Sequence, residues 1–212
     1  MIMAENKKRL VIGISGSSGA ILGIRILQIL RSAAPDIETH LVLSRASRLT
    51  ITEETDWKVS DVLDLADVTY SISDIGAAIA SGSFTTLGMV VVPCSIKTLS
   101  AIANSYADDL LVRAADVTLK EGRPLILVVR EAPLHRGHIR LMDLAAQAGA
   151  VIFPPVPTFY TRPKSIEEMI DHMAGRILNR VGIDNVQAQV WRGTSKNRLP
   201  DDISDTGELN PE

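Results

Sequence analysis

The sequence has few of the residues that disulfide and metal frameworks need. Its 212 residues contain one cysteine, Cys94. A single thiol excludes an intrachain disulfide and is typical of a reducing compartment, so we predict a cytoplasmic protein. The chain has four histidines, at His40, His135, His138 and His172. No carboxylate cluster accompanies them, and the pair one helical turn apart would be a two-ligand site without partners, so no metal site is predicted.

Long apolar runs and excess charge of one sign are lacking as well. The chain has no stretch of ~18 apolar residues and no charged-then-apolar leader, so neither a membrane span nor export is expected. A net charge of −3 gives no general attraction to nucleic acid or to acidic membranes. Neither an internal repeat nor a composition break marks a linker. We therefore predict one domain over residues 1–191, followed by a flexible polar tail over residues 192–212.

The most informative segment present is a strand-to-helix junction in the middle of the chain. The β-branched run before Pro93 predicts a strand buried on both faces of a parallel sheet, and we expect Pro93 to end it because proline cannot donate to the ladder. Ligands bind beyond the carboxyl ends of such strands, and helix N-termini attract phosphate. The next four residues therefore indicate a phosphate clamp, although a serine N-cap with a solvated lysine fits them too. The phosphate clamp comprises Ser95, Ile96, Lys97 and Thr98.

A second junction of this kind lies near the N-terminus. An apolar strand over residues 9–14 is followed by Gly16, Ser17 and Ser18, and then by a helix over residues 21–31. Glycine allows close backbone approach, and serine hydroxyls can donate to a phosphate or a polar ring. The loop matches neither the dinucleotide fingerprint nor the P-loop. Two junctions together favour ligand binding over simple helix capping.

Strands and helices alternate along the rest of the chain. This alternation predicts an α/β fold with a doubly wound parallel sheet between two helical layers. Further strands are predicted over residues 38–43, 68–71, 125–130 and 151–153. Further helices are predicted over residues 45–55, 60–65, 99–104, 109–120, 135–149 and 166–181.

Several charged or aromatic residues stand out against this frame. Arg130 and Glu131 follow a predicted strand at its carboxyl end, where a charged pair is usually functional. Arg113 and Lys120 are seven residues apart and share one face of a predicted helix. Trp191 is an aromatic residue in a polar segment, which indicates docking on another surface or subunit.

From about Arg9 to Val181 the chain closely resembles the UbiX-type flavin prenyltransferases, within the wider flavin-binding cysteine decarboxylase superfamily. One departure is Ser17, where the first loop of the family usually has alanine; the change is conservative. The resemblance implies a Rossmann-like, flavodoxin-like flavoprotein. It rests on the segments ISGSSGA, SGSF, GMVVVPCSIKTLSAIANSYADDLLVRAADVTLKE, VVREAPLH, GHIRLM and PPVPTFYTRP.

The resemblance also implies an activity. Members of this family transfer a dimethylallyl group from dimethylallyl phosphate to N5 and C6 of reduced FMN, without a metal, and release inorganic phosphate. The product, prenylated FMN, serves a UbiD-type decarboxylase. Family members form dodecamers whose sites lie between subunits, so a homo-oligomer is expected.

Roles for individual residues follow from the same resemblance. The residues expected to bind FMN are Gly16, Ser17, Ser18, Ser44, Ser95, Ile96, Lys97, Thr98 and Arg130. Those expected to bind the donor are Tyr160, Arg176, Arg113, Lys120 and Trp191. Those expected to act in catalysis are Glu131, Ser18, Lys120 and Glu54.

The residue types suit this chemistry. Breaking an allylic C–O bond develops negative charge on phosphate, which arginine and lysine stabilise through charge-assisted hydrogen bonds. A proton must then leave the flavin C6, and either Glu131 or the departing phosphate could accept it. Two alternatives are an FMN-dependent decarboxylase of the cysteine-decarboxylase type and a flavin carrier without chemistry. The first lacks its own motifs around residues 154–163, and the second leaves Tyr160, Arg176, Lys120 and Glu131 without a purpose.

Overall fold

The computed structural model describes residues 8–184. Within this range six parallel strands form one sheet in the order β3-β2-β1-β4-β5-β6. The strands are β1 (Lys8–Ile14), β2 (Ile37–Leu43), β3 (Val68–Tyr70), β4 (Gly88–Cys94), β5 (Leu125–Val129) and β6 (Val151–Ile152). The predicted doubly wound parallel sheet is confirmed. Its strand order reverses between β1 and β4, which creates a crevice at their carboxyl ends.

Seven α-helices connect these strands within the described residues. They are α1 (Ala20–Ala33), α2 (Arg45–Glu54), α3 (Val59–Leu63), α4 (Ile96–Ala103), α5 (Leu110–Lys120), α6 (Arg136–Gln147) and α7 (Ile166–Asn179). Each corresponds to a helix predicted from the sequence, with bounds that differ by a few residues, as helix ends commonly do.

Strand β4 differs from its prediction at Pro93. The strand does not end there but continues to Cys94, and its pairing with β5 changes register between Val91 and Cys94. Pairing of β4 with β1 runs only as far as Val91. Pro93 therefore occupies an irregular stretch where no ladder hydrogen bond from its nitrogen is required, which is how a proline is accommodated inside a strand.

Apolar side chains of the sheet point alternately to two cores. One core packs α1 and α7 on one face, with Leu27 and Ile177 fully buried. The other packs α4 and α5 on the opposite face, with Leu99 and Leu111 buried. Each such side chain contributes about 1.5–3 kcal/mol of hydrophobic stabilisation. Both layers are needed because a parallel sheet must be covered on both faces.

The predicted domain end at Trp191 and the predicted tail over residues 192–212 lie outside the described residues. Among residues 8–184, no helix is both long enough and apolar enough to cross a bilayer.

A close approach of α1 to the sheet provides the first testable prediction. A Cβ atom on Gly23 would lie 2.6 Å from the carbonyl oxygen of Val92 and 2.8 Å from Cδ1 of Ile14. Gly23→Val should therefore lower the free energy of unfolding by about 2 kcal/mol or more, measured by urea denaturation. The matched control is Gly76→Val, because a Cβ there would meet only Asp74 Oδ1, at 3.7 Å. Equal stability of the two variants would contradict the packing argument.

Candidate functional site

A cavity of about 490 Å³ opens at the carboxyl ends of β1 to β4. This size is typical of pockets for small ligands. The cavity lies at the strand-order reversal, where ligands bind in doubly wound sheets. Its walls come from the loops after four strands and from the start of α5. The lining residues are Gly16, Ser44, Arg45, Ala46, Ile72, Ser73, Ser95, Lys97, Thr98, Ala101, Asp108, Asp109 and Val112.

The buried hydroxyl of Ser15 ties two walls of this cavity together. Ser15 Oγ donates to the carbonyl oxygen of Pro93 at 2.9 Å, and the backbone nitrogen of Ser95 donates to Ser15 Oγ at 2.7 Å. The backbone nitrogen of Ser15 also donates to the Pro93 carbonyl, at 3.2 Å. Ser15 is fully buried. These bonds therefore hold the ends of β1 and β4 next to each other. They also fix the position of the loop after β1 relative to the phosphate clamp.

Two helices begin at the cavity with serine caps. Ser44 Oγ accepts from the backbone nitrogen of Ser47 at 3.0 Å at the start of α2. Ser95 Oγ accepts from the backbone nitrogen of Thr98 at 3.3 Å at the start of α4, and it donates to Thr98 Oγ1 at 3.1 Å. Because both helix N-termini carry partial positive charge, the side of the cavity that they form favours an anion, whereas Asp108 and Asp109 line the side at the start of α5.

Both interpretations of the phosphate clamp hold in the structure. Ser95 is an N-cap and Lys97 is exposed, as the capping interpretation requires. Ser95, Lys97 and Thr98 also line the cavity, as the clamp requires. Ile96 differs from its neighbours, because its partly buried side chain packs against the core of α4 and α5. At this position the backbone could contact a ligand in the cavity, whereas the side chain stabilises the core.

The loop after β1 carries an unused hydrogen-bonding group. Ser17 Oγ is buried and has no hydrogen-bond partner within the described residues. Such a group costs free energy unless a ligand or water satisfies it. Ser18 follows on the same loop and is partly buried. Glu54, at the end of α2, accepts a hydrogen bond from the backbone nitrogen of Gly19 at 2.8 Å. The structure therefore brings Glu54, which the resemblance assigns to catalysis, to this loop.

Arg130 and Glu131 follow β5 and are both exposed. The backbone nitrogen of Arg130 donates to the carbonyl oxygen of Cys94 at 3.1 Å, which ties the end of β5 to that of β4. Glu131 Oε1 accepts from the backbone nitrogen of Ala132 at 3.1 Å. Among residues 8–184, no ion pair joins the two side chains, and neither residue is among those that line the cavity.

Tyr160 and Arg176 are not among the residues that line the cavity. Tyr160 lies on the loop before α7, and its hydroxyl is 3.5 Å from Nε2 of the buried His172. Arg176 is exposed in the last turn of α7. Helix α7 is anchored to α1 by an ion pair between Arg25 and Asp171, with two hydrogen bonds of 2.5 and 3.1 Å. Trp191 lies outside the described residues.

Helix α5 carries Lys120 away from the cavity, whereas Arg113 lies in the first turn of the helix and is not among the lining residues. Asp109 and Val112, at its start, line the cavity. Lys120, at its other end, is half exposed and forms an ion pair with Glu121. An 11-residue helix is about 16 Å long, so Lys120 lies near the amino ends of the strands. Arg113 is paired with Asp116 at 2.8 Å. A single chain therefore does not bring Lys120 to the cavity.

Sequence reasoning missed three residues that shape this site. Ser15 continues directly from the first strand, and nothing local marks its hydroxyl as a bridge to residues 78 and 80 positions away. Arg45 was assigned only to a helix, yet it lines the cavity. Asp109 was placed at a helix start; its side chain caps α5, and it also lines the cavity. The capping signal of Asp109 is visible in the sequence, whereas its exposure to the cavity depends on the fold.

Cys94 plays no nucleophilic part at this site. The thiol is fully buried, and burial raises the pKa of Cys94 far above its usual range. Such a thiol stays protonated and unreactive. In the part of the chain that the structure describes, no three or more histidine, cysteine, aspartate or glutamate side chains are arranged to hold a metal ion.

The sequence is similar to that of known flavoproteins. The Flavoprotein family matches residues 3–177. The chain is 60% identical over 176 residues to the flavin prenyltransferase UbiX of Escherichia coli K12, covering 83% of this chain and 93% of that protein. The chain is therefore a member of the flavoprotein family. Within it, the chain belongs to the UbiX flavin prenyltransferases, which confirms the resemblance.

Two solved structures agree with this assignment. AnUbiX (PadA1), crystallised with FMN and dimethylallyl pyrophosphate, superposes with a TM-score of 0.86 at 48% identity, covering 89% of this chain and 100% of that one. A dodecameric FMN-dependent UbiX-like decarboxylase from Escherichia coli O157:H7 superposes with a TM-score of 0.85 at 44% identity, covering 87% of this chain and 100% of that one.

The bridging hydroxyl of Ser15 provides the second testable prediction. Ser15→Ala leaves the partly buried backbone nitrogen of Ser95 without its acceptor, so the free energy of unfolding should fall by about 1–3 kcal/mol in urea denaturation. The control is Ser32→Ala, because the exposed Ser32 hydroxyl bonds only to carbonyl groups of its own helix. Its stability should stay within about 0.5 kcal/mol of the parent. A Ser15→Ala protein as stable as this control would contradict the bridging role.

Proposed function

We propose that this chain, a flavin prenyltransferase by family, holds reduced FMN in the cavity between β1 and β4 and transfers a dimethylallyl group to it from a dimethylallyl phosphate. The observation that carries the proposal is the cavity itself. It lies at the strand-order reversal, and it is lined by Ser44, Ser95 and Thr98 with two helix N-termini beside them.

The residues around the cavity fit FMN. The serine-capped starts of α2 and α4 suit a phosphate, which Ser44, Ser95 and Thr98 would bind through hydroxyls and Lys97 through charge. The backbone of Ile96 lies in the same helical turn. Gly16 allows the backbone to approach a flat ring, and Ser17 and Ser18 add hydroxyls, of which Ser17 Oγ has no protein partner. Arg130 would complete the set with a charge-assisted hydrogen bond. FMN supplies the nucleophilic positions N5 and C6.

A second group of residues suits the phosphate of the donor. As the allylic C–O bond breaks, negative charge grows on the leaving phosphate, and arginine, lysine and tyrosine donors stabilise it. We assign this task to Tyr160, Arg176, Arg113 and Lys120, with Trp191 as a neighbour of the allyl group. Either a monophosphate or a diphosphate could be held in this way, so both esters belong in the assay.

Glu131 is the proposed acceptor of the proton that leaves the flavin C6. Its carboxylate is exposed beside Arg130 and accepts one backbone hydrogen bond, so lone pairs remain free for a proton. Glu54 and Ser18 meet at the loop after β1, where Glu54 already accepts from Gly19. We assign these two a supporting role in orienting the flavin and transferring protons near it.

The site requires more than one copy of the chain. Arg130 follows β5 beside the end of β4, whereas Lys120 lies at the far end of α5. Assembly of copies would bring Lys120 of one chain to the cavity of another, and the dodecamer expected for this family provides such contacts. We also propose that the product passes to a UbiD-type decarboxylase and that the reaction takes place in the cytoplasm.

The direct test is to incubate the protein anaerobically with reduced FMN and dimethylallyl phosphate, or its diphosphate, and to weigh the flavin. A mass increase corresponding to one dimethylallyl group is expected. Unchanged flavin together with decarboxylation of an added acid would instead support the decarboxylase alternative. Unchanged flavin without any reaction would support a flavin carrier.

Replacement of Glu131 provides the third testable prediction. Glutamine keeps the size and hydrogen bonding of Glu131 but cannot carry a proton away. In Glu131→Gln, FMN binding should survive while single-turnover prenylation slows by ~10²-fold, the usual scale for a lost general base. The control is Glu53→Gln on the exposed side of α2. A parent-like rate in Glu131→Gln would remove Glu131 from the mechanism.

Mixed oligomers provide the fourth testable prediction. Arg130→Ala should weaken FMN binding by about 10- to 100-fold, since it removes a charge-assisted bond, and Lys120→Ala should slow transfer. When the two variants are co-expressed, some sites combine an intact Arg130 with an intact Lys120 from another copy, so prenylation should recover. The control is the double variant, in which no site is intact. If co-expression restores no activity, the two residues act from the same chain.

A further inference from the structure

A short loop at the amino ends of the strands lies directly against Lys120. The loop comprises residues 81–84, and we refer to it as the SGSF loop. A Cβ atom on Gly82 would lie 2.8 Å from Lys120 Nζ and 2.0 Å from Glu121 Oε1. The Lys120 ammonium and the Glu121 carboxylate therefore pack directly against the Cα of Gly82. The loop leaves these two side chains little freedom to move toward it.

Arg123 holds this loop by its backbone. Its Nη1 donates to the carbonyl oxygen of Phe84 at 2.9 Å, and its Nη2 donates to the carbonyl oxygen of Gly82 at 2.7 Å. The side chain of Arg123 is only 16% exposed. A planar guanidinium presents its donors in a fixed fork, so two bonds to one loop set both its distance and its orientation. Arg123 also lies 4.0 Å from Glu121 Oε2, on the same ion pair as Lys120.

The side chain of Phe84 fastens the other end of the loop to the sheet. The guanidinium carbon of Arg9, on β1, lies 4.6 Å from the centre of the Phe84 ring. The ring of His40, on β2, meets the same ring edge-on at 5.2 Å. These are favourable cation–π and edge-to-face contacts. The loop is thus fixed through Arg123 to the segment between α5 and β5, and through Phe84 to the sheet.

We propose that Arg123 is a positioning residue for the donor phosphate: it holds the SGSF loop so that the Lys120 ammonium is presented at a fixed point on the surface. The inference rests on the proposed function, in which Lys120 serves the site of another copy. Arg123 itself touches neither substrate. Its two hydrogen bonds to the carbonyl oxygens of Gly82 and Phe84 fix the position of Gly82. Gly82 in turn limits where the Lys120 ammonium can lie.

The test compares Arg123→Met with the parent in the full chain, using FMN and dimethylallyl phosphate as probes. Misplacing a phosphate-binding ammonium should raise the KM for dimethylallyl phosphate by about tenfold or more. The affinity for FMN, measured by flavin fluorescence, should stay within about twofold, because the cavity lies at the opposite edge of the sheet. Arg123→Lys should recover only part of the loss, since one ammonium cannot reproduce the fork.

The matched control is Arg31→Met. Arg31 also donates to a backbone carbonyl oxygen, that of Asp64, but it lies at the end of α1, away from the SGSF loop. Its KM for the donor should equal that of the parent.

A second variant covers the case in which Arg123→Met does not fold. Gly82→Ala leaves the bonds of Arg123 in place but drives a methyl group into Glu121 and Lys120, so it should raise the same KM and spare FMN binding. A parental KM in either folded variant would overturn the proposal, and so would a parallel loss of FMN affinity. A parent protein that makes no prenylated FMN would contradict the proposed function and this inference together, whereas an active parent with unaffected variants would contradict this inference alone.

Discussion

The hydroxyl of Ser15 joins the carboxyl ends of β1 and β4 by donating to the Pro93 carbonyl and accepting from Ser95. A buried hydrogen bond of this kind contributes about 1 kcal/mol net, but leaving its partners unsatisfied costs more. Together with the backbone hydrogen bond from Ser15 to Pro93, this contact keeps the two strand ends at the strand-order reversal from separating. Because they cannot, the loop after β1 and the N-terminus of α4 face the same space. The two walls of the cavity at the strand-order reversal therefore depend on this constraint.

The direction of α5 determines where the residues proposed to bind the donor phosphate lie. The helix starts at the cavity and ends beside the SGSF loop. Residues seven positions apart on one helical face therefore lie in different parts of the molecule. Arg113 and Lys120 are close in sequence and share a face, yet only the start of the helix belongs to the cavity of its own chain. If Lys120 acts at the cavity, as proposed, the orientation of this one helix means that it must come from another copy of the chain.

Most of the fold could be predicted from the sequence because its signals are local. Buried β-branched runs, a glycine and serine turn, and helical apolar spacing specify each element, and alternation of strands and helices specifies the sheet. The fate of Pro93 could not be predicted in this way. Whether a proline ends a strand depends on which of its neighbours still pair with the adjacent strands, and that is a property of the assembled sheet.

The candidate site also contains residues that local sequence predicts and residues whose roles depend on the assembled fold. Gly16, Ser44 and the phosphate clamp follow strands directly, so strand ends alone place them at one edge. The roles of Ser15 and Arg123 could not be predicted, because each depends on backbone carbonyl groups far away in sequence, to which no side-chain pattern corresponds. The assignments of Tyr160 and Arg176 rest on family resemblance; neither is among the residues that line the cavity, and their role stays a prediction.

Helix α5 also acts as a rigid spacer whose length has a functional meaning. An α-helix advances about 1.5 Å and turns about 100° with every residue. One residue inserted or deleted within α5 would leave Asp109 at the cavity but rotate Lys120 away from Gly82 by more than a quarter turn. In the proposed assembly this helix sets both the spacing and the angular phase between neighbouring catalytic centres. Changes of chain length are therefore far more tolerable in the loops around the sheet than within these eleven residues.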